Sequence, residues 1–194
     1  MGWPLSGALL AVLAVMAITA GNRPTAFLIA GAGGALAIAV GAFISATRHG
    51  RNARSEMIVA AGSFSVAIVL FFALISTRPP EYFNMVTADT QQRQFYPWWY
   101  ALTSAGLFGL LFGIGVSWRS NKPRLPTALG CAAAALLAAI SIFFAAYILG
   151  SLGGAAFRRM SLQSAGFMLG AGLGGFVGSL LPAALVEWLL RPAR

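Results

Sequence analysis

The stretch that decides the fold runs from Gly166 to Pro182 and reads GFMLGAGLGGFVGSLLP. Gly166, Gly170, Gly174 and Gly178 recur at every fourth position, with Gly172 and Gly175 beside them. Four residues is slightly more than one helical turn, so these glycines share one stripe of a helix. In water each would cost a helix about 1 kcal/mol against alanine. In hydrocarbon a lone segment has helix as its only open option, because every backbone polar group must be satisfied internally. The stripe then offers a flat groove that a second backbone can approach closely. It is a signal for helix–helix contact in a membrane, and it carries no chemistry.

The composition agrees. Of 194 residues, 59% are hydrophobic and 9% charged, where a soluble domain carries about 25% charged residues. The excess apolar surface must face lipid. The net charge of +9 comes from 13 basic residues against 4 acidic ones. The basic residues sit between apolar runs, as loop anchors touching anionic headgroups, so no nucleic-acid partner is expected. Cys131 and His49 are the single cysteine and histidine. An intrachain disulfide, a Cys/His metal cluster and bis-His haem ligation are therefore excluded within one chain, and no cofactor or metal is expected. Cys131 reads as a small packing residue in an apolar run.

Six apolar segments follow, at 4–20, 26–46, 57–76, 98–118, 127–150 and 163–190. They predict an all-α, polytopic integral membrane protein, one transmembrane domain over 1–194 with glycine-faced packing. The second span has a small face at Gly31, Gly34, Ala37 and Gly41, and the fourth repeats it at Ala105, Gly109 and Gly113. The alanine-rich fifth span can pack closely against any glycine-faced helix. The third, with VAIVLFFALI in its late half, looks peripheral. Within the sixth, Pro182 predicts a kink, and 151–161 reads as a glycine-rich turn. The segment 77–97, rich in Tyr, Phe and Trp, is longer than ordinary helix connections, either a functional loop or an interfacial anchor. An echo between Pro24–Phe43 and Pro126–Phe143 allows an inverted repeat of three spans, an arrangement seen in transporters.

Candidate chemistry is sparse. Glu187 is the one acid within an expected span, a candidate proton or ion site. Its placement one turn before Arg191 also allows a plain i,i+4 ion pair near the interface, in which case Glu187→Gln should be mild. His49 sits beside Arg48, Arg51 and Arg54 in a basic loop and is expected to be solvated. Ser63, Ser65, Thr103, Ser104 and Ser141 can each bond a backbone carbonyl one turn back. GAGLGG at 170–175 is no dinucleotide loop, because no strand precedes it. No catalytic residues are assigned. The expected sites are helix-packing ones: Gly34 and Gly41, Gly109 and Gly113, and the stripe Gly166, Gly170, Gly174 and Gly178, for which the second and fourth spans are the expected partners.

These features fit a non-catalytic subunit of a membrane complex, meeting other membrane subunits or a second copy through its glycine faces. The alternative is a small-solute transporter or the substrate-binding membrane subunit of one. The size and six-span layout resemble those of energy-coupling-factor substrate subunits, without a matching motif. An integral membrane enzyme is the least expected class, since acids and histidine are scarce. The side holding the termini and the loops 47–56 and 118–126 carries Arg48, Arg51, Arg54, Arg119, Lys122, Arg124, Arg191 and Arg194, eight basic residues. The other side has five, Arg23, Arg78, Arg93, Arg158 and Arg159. The excess predicts cytoplasmic termini in a bacterial inner membrane. Single cysteines at Ser120 and Thr90, labelled from outside intact cells, check this. Thr90→Cys should react and Ser120→Cys should not; the reverse overturns the assignment.

Overall fold

The computed structural model describes residues 1–20, 23–76, 96–120, 122–158 and 162–191. Every element among them is helical: α1 (Gly2–Thr19), α2 (Arg23–Leu28), a π-helical turn (Ile29–Gly33), α3 (Gly34–Arg48), α4 (Ala53–Ser76), α5 (Tyr96–Ser120), α6 (Arg124–Ala156), α7 (Gln163–Gly178) and α8 (Leu180–Leu190). They make six stretches long and apolar enough to cross a membrane, with α2, the π-turn and α3 joined into the second and α7 with α8 into the sixth. The segment 77–95 lies outside the described residues, and with it the expectations about its aromatic loop.

Each stretch packs on the next in chain order, and the sixth returns to the first, so the neighbours close into a ring. The inside of the ring is filled toward its termini-side end. Ile38, Ala42, Ala60, Phe112, Val116, Cys131 and Leu190 are buried there, drawn from the second through sixth stretches, and Trp3 of the first packs against them. The rings of Trp3 and Phe112 meet edge-on at 5.5 Å, those of Phe64 and Phe108 at 6.0 Å, and Phe108 stacks on Phe112 at 5.9 Å. These separations lie in the range where aromatic pairs attract beyond their buried area.

The α6–α7 contact is the most extensive in the bundle. A Cβ built on Gly174 would lie 2.5 Å from the Ala146 Cα, one on Gly170 2.9 Å from the Gly150 Cα, and one on Gly178 2.8 Å from the Ile142 Cα. At Gly166 it would lie 2.9 Å from Phe157 Cβ. The stripe therefore faces the fifth span, not the second and fourth as expected. Length is the reason. Helix α6 has 33 residues and runs on to Ala156 through the segment expected to be a turn, so Gly153 and Gly154 extend its small face alongside the whole of α7. Gly109 and Gly113 also face α6, each 2.6 Å from a Cα, that of Ala132 and Ala128 respectively.

Helix α7 has a second small edge, offset by one residue. Ala171 and Gly175 are buried, and a Cβ on Gly175 would lie 2.6 Å from Ala11 Cβ and 2.9 Å from the Gly7 carbonyl carbon of α1. Gly41 meets α1 similarly, where Ser6 Oγ donates to Ala37 O at 2.8 Å. Gly34 instead faces the Phe64 ring, 2.5 Å from its nearest atom to the built Cβ.

The sixth stretch breaks at Ser179, three residues before Pro182. Proline has no N–H, so the Gly178 carbonyl loses its i+4 donor. Ser141 Oγ of α6 lies 2.6 Å from that carbonyl and 2.7 Å from Leu137 O, so its one proton can serve either acceptor. At the other end of α8, Lys122 Nζ donates to Leu189 O at 2.6 Å and Arg191 O at 2.5 Å. A cation on the last carbonyls complements the negative end of a helix dipole.

Phe112 is 2% exposed, whereas Phe144 on the outer side of α6 is 55% exposed. Phe112→Ala should therefore cost about 3–5 kcal/mol, and Phe144→Ala less than about 1 kcal/mol. Thermal melting of both variants in detergent checks the filled interior, and equal melting temperatures would argue against it.

Candidate functional site

The termini-side end of the bundle gathers most of the described charged chemistry, and local backbone geometry sets it up. Helix α3 ends in a Schellman motif. Gly50 adopts φ +63°, Arg51 N–H donates to Ala46 O at 2.9 Å, and Gly50 N–H donates to Thr47 O at 3.3 Å. Asn52 then caps α4, its Oδ1 accepting from Ser55 N–H at 3.1 Å. Between these two fixed ends Arg51 has little freedom, and its side chain turns inward, only 10% exposed.

Arg51 holds the two acids that are described. Its Nη1 donates to Glu187 Oε2 at 2.9 Å. Its Nε lies 2.8 Å from Glu56 Oε1, although off the N–H direction a hydrogen bond requires. Its Nη2 donates to Ser45 Oγ at 2.8 Å, and the Ser45 hydroxyl donates in turn to Glu187 Oε1. Arg51, Ser45 and Glu187 thus form a closed hydrogen-bonded triangle joining α3, the α3–α4 connection and α8. His49 Nδ1 lies 2.9 Å from Ser45 O and 3.1 Å from Glu187 Oε2. Arg119 reaches across from α5 to Ser55 O at 3.4 Å.

Two sequence expectations change here. Glu187 is tied to Arg51, Ser45 and His49 rather than to Arg191, because the break at Ser179 and the close α1–α7 crossing place α8 over the α3–α4 connection. His49 is not simply solvated: its side chain is 42% exposed and rests on Glu187. Arg51 and Ser45 were not singled out in the sequence. The available signal was the pairing of a C-terminal glycine with an Asn cap on either side of one arginine, in a chain with four acids. Ser65, Thr103 and Ser141 do bond carbonyls one turn back, at 2.9, 2.7 and 2.7 Å. Ser104 differs, its buried hydroxyl having no partner.

A cleft of about 380 Å³ opens beside the cluster, lined by Met1, Trp3, Pro4, Arg48, His49, Leu180, Ala183, Ala184 and Glu187. Lys122 lies close by, its ammonium held below the ordinary lysine range by burial and by the Arg51 guanidinium. Among the described residues no group of three or more His, Cys, Asp or Glu has a metal-binding arrangement. The described glycine sites named from the sequence all lie elsewhere, in the helix contacts.

No family model, curated protein or solved structure matches the chain.

Removing one partner of a buried ion pair leaves the other charge uncompensated and costs about 3–5 kcal/mol. Arg51→Gln should fall there, since it strands Glu187. Glu187→Gln keeps an acceptor for Ser45 and leaves Arg51 beside Glu56, so about 1–2 kcal/mol is expected, rather than the near-neutral effect of a surface pair. Melting temperatures in detergent should rank Arg51→Gln lowest. A variant at Arg51 that melts with the parent would show that the cluster contributes nothing to the fold.

Proposed function

We propose that the chain is an integral membrane protein acting as a non-catalytic subunit of a membrane-embedded complex. The observation that carries this reading is the filled interior, where Trp3, Phe64, Phe108 and Phe112 occupy the space a solute path would need. Intramembrane polar groups usually mark a solute or ion path. Here the described charged side chains gather toward the helix ends, and the hydroxyls at depth mostly serve neighbouring carbonyls.

The glycines named from the sequence meet helices of the same chain, so a partner would use other surfaces. The outer face of α6 is the best of these, with Ile140, Phe143, Phe144, Tyr147, Ile148 and Leu152 exposed. Stacked Phe143 and Tyr147 rings, 6.2 Å apart, give it a firm aromatic surface. In a bilayer the same face would otherwise meet acyl chains. The excess of basic residues on the termini side supports a bacterial inner membrane with cytoplasmic termini.

Transport is the second reading, favoured by the cleft beside His49 and Glu187. The two readings separate on extraction of the protein in mild detergent at native expression levels. The subunit reading expects a stoichiometric membrane-protein partner, released by the double variant Ile140→Ser, Phe144→Ser without loss of melting temperature. A chain that purifies alone and carries a solute into liposomes would overturn it in favour of transport.

A further inference from the structure

Glu56 is the least explained group in the molecule. Its side chain is 8% exposed, and its Oε2 is buried with no hydrogen-bond partner. Its Oε1 lies 2.8 Å from the misaligned Nε of Arg51. Glu187 is the opposite case, with Ser45, Arg51 and His49 all on its carboxylate. One guanidinium thus stands between two carboxyl groups, and its well-formed bonds go to Glu187.

Arg51 is shared with Glu187, and the remaining nearby charges do not supply Glu56 with a second counterion. Lys122 spends its ammonium on the carbonyls of Leu189 and Arg191. Arg119 reaches the backbone of Ser55. Cys131 of α6 is a buried thiol and brings no cation. His49 leans on Glu187 and Ser45. The positive end of α4 lies next to Glu56, but the Ser55 and Glu56 N–H groups are already taken by Asn52, at 3.1 and 3.0 Å. An ionised carboxylate buried with a bare oxygen is costly, and such a group takes up a proton instead.

We infer that Glu56 is a proton-binding site: its buried carboxyl takes up one exchangeable proton on the unpartnered Oε2, while the well-formed bonds of Arg51 stay with Glu187. Loss of that proton gives a second carboxylate on the same guanidinium. Glu56 then competes with Glu187 for Arg51, and the tie between the α3–α4 connection and α8 weakens. The released proton goes to solvent. Occupancy of Glu56 is thereby coupled to the contact between the second and sixth stretches.

Infrared difference spectroscopy of the full chain in detergent tests this. At neutral pH the parent should show the carbonyl stretch of a protonated carboxylic acid, moving on exchange into heavy water and bleaching as pH rises. Glu56→Gln, a neutral isostere, should abolish the band. Glu187→Gln frees Arg51 for Glu56, and should make the band bleach at lower pH than in the parent. Absence of the band from the parent at neutral pH overturns the proposal without any variant having to fold. Persistence of the band in Glu56→Gln assigns the proton elsewhere and also overturns it. Replacing potassium by sodium should leave the band unchanged; its loss in sodium would show that sodium displaces the proton and would overturn a site specific for protons.

Discussion

The structure depends on the absence of side chains along one edge of α7. Where hydrocarbon surrounds a helix there is little hydrophobic force to bring it to another, because acyl chains are as apolar as leucine. Close van der Waals contact between backbones, with weak Cα–H···O bonds, takes its place. Gly166, Gly170, Gly174 and Gly178 allow this against α6 over four successive turns. The edge at Ala171, Gly175 and Ser179 allows it against α1. Helix α7 is thus a thin wedge between two neighbours. It closes the ring, and it fixes where α8 begins.

The polar cluster follows from that placement. Once α8 is carried over the α3–α4 connection, Glu187 arrives beside Arg51, whose backbone is already held by the Gly50 turn and the Asn52 cap. A buried ion pair is weak evidence of net stabilisation, since desolvating both charges offsets much of their attraction. What the pair does supply is register. It ties the second stretch to the sixth at one end, while glycine contacts hold α6 to α7 along their length. The two devices act at different places and on different chemistry, so their losses should be separable.

Much of the fold was legible in the sequence. Length and apolarity marked six stretches, and the period of four in 166–178 marked a packing edge. The partner of that edge was not legible, because a groove of glycines records how near another backbone comes and not which one. The fifth span was the better candidate by its alanines, but its true length was hidden. Ser151–Ala156 reads as loop from Gly153 and Gly154, whereas in the structure those glycines are the last part of the α6 packing face. The π-turn at Ile29–Gly33 left no mark in composition. The ion cluster was invisible for a related reason. Glu187 and Arg51 are 136 residues apart, and the nearer Arg191 supplied an adequate local explanation.

The close approach of α6 and α7 is tested most directly by adding one methyl group at two glycines and comparing the sign of the effect. Gly62 of α4 has open space around it, and a Cβ there meets nothing within 4 Å. Alanine restores helix propensity at such a position at no steric cost, so Gly62→Ala should melt no lower than the parent in detergent. Gly174→Ala places its methyl 2.5 Å from the Ala146 Cα and should melt clearly lower, by the equivalent of about 1–3 kcal/mol for overpacking against backbone. If Gly174→Ala melts with the parent or above it, the two helices do not approach as described, and the account of the bundle fails with them.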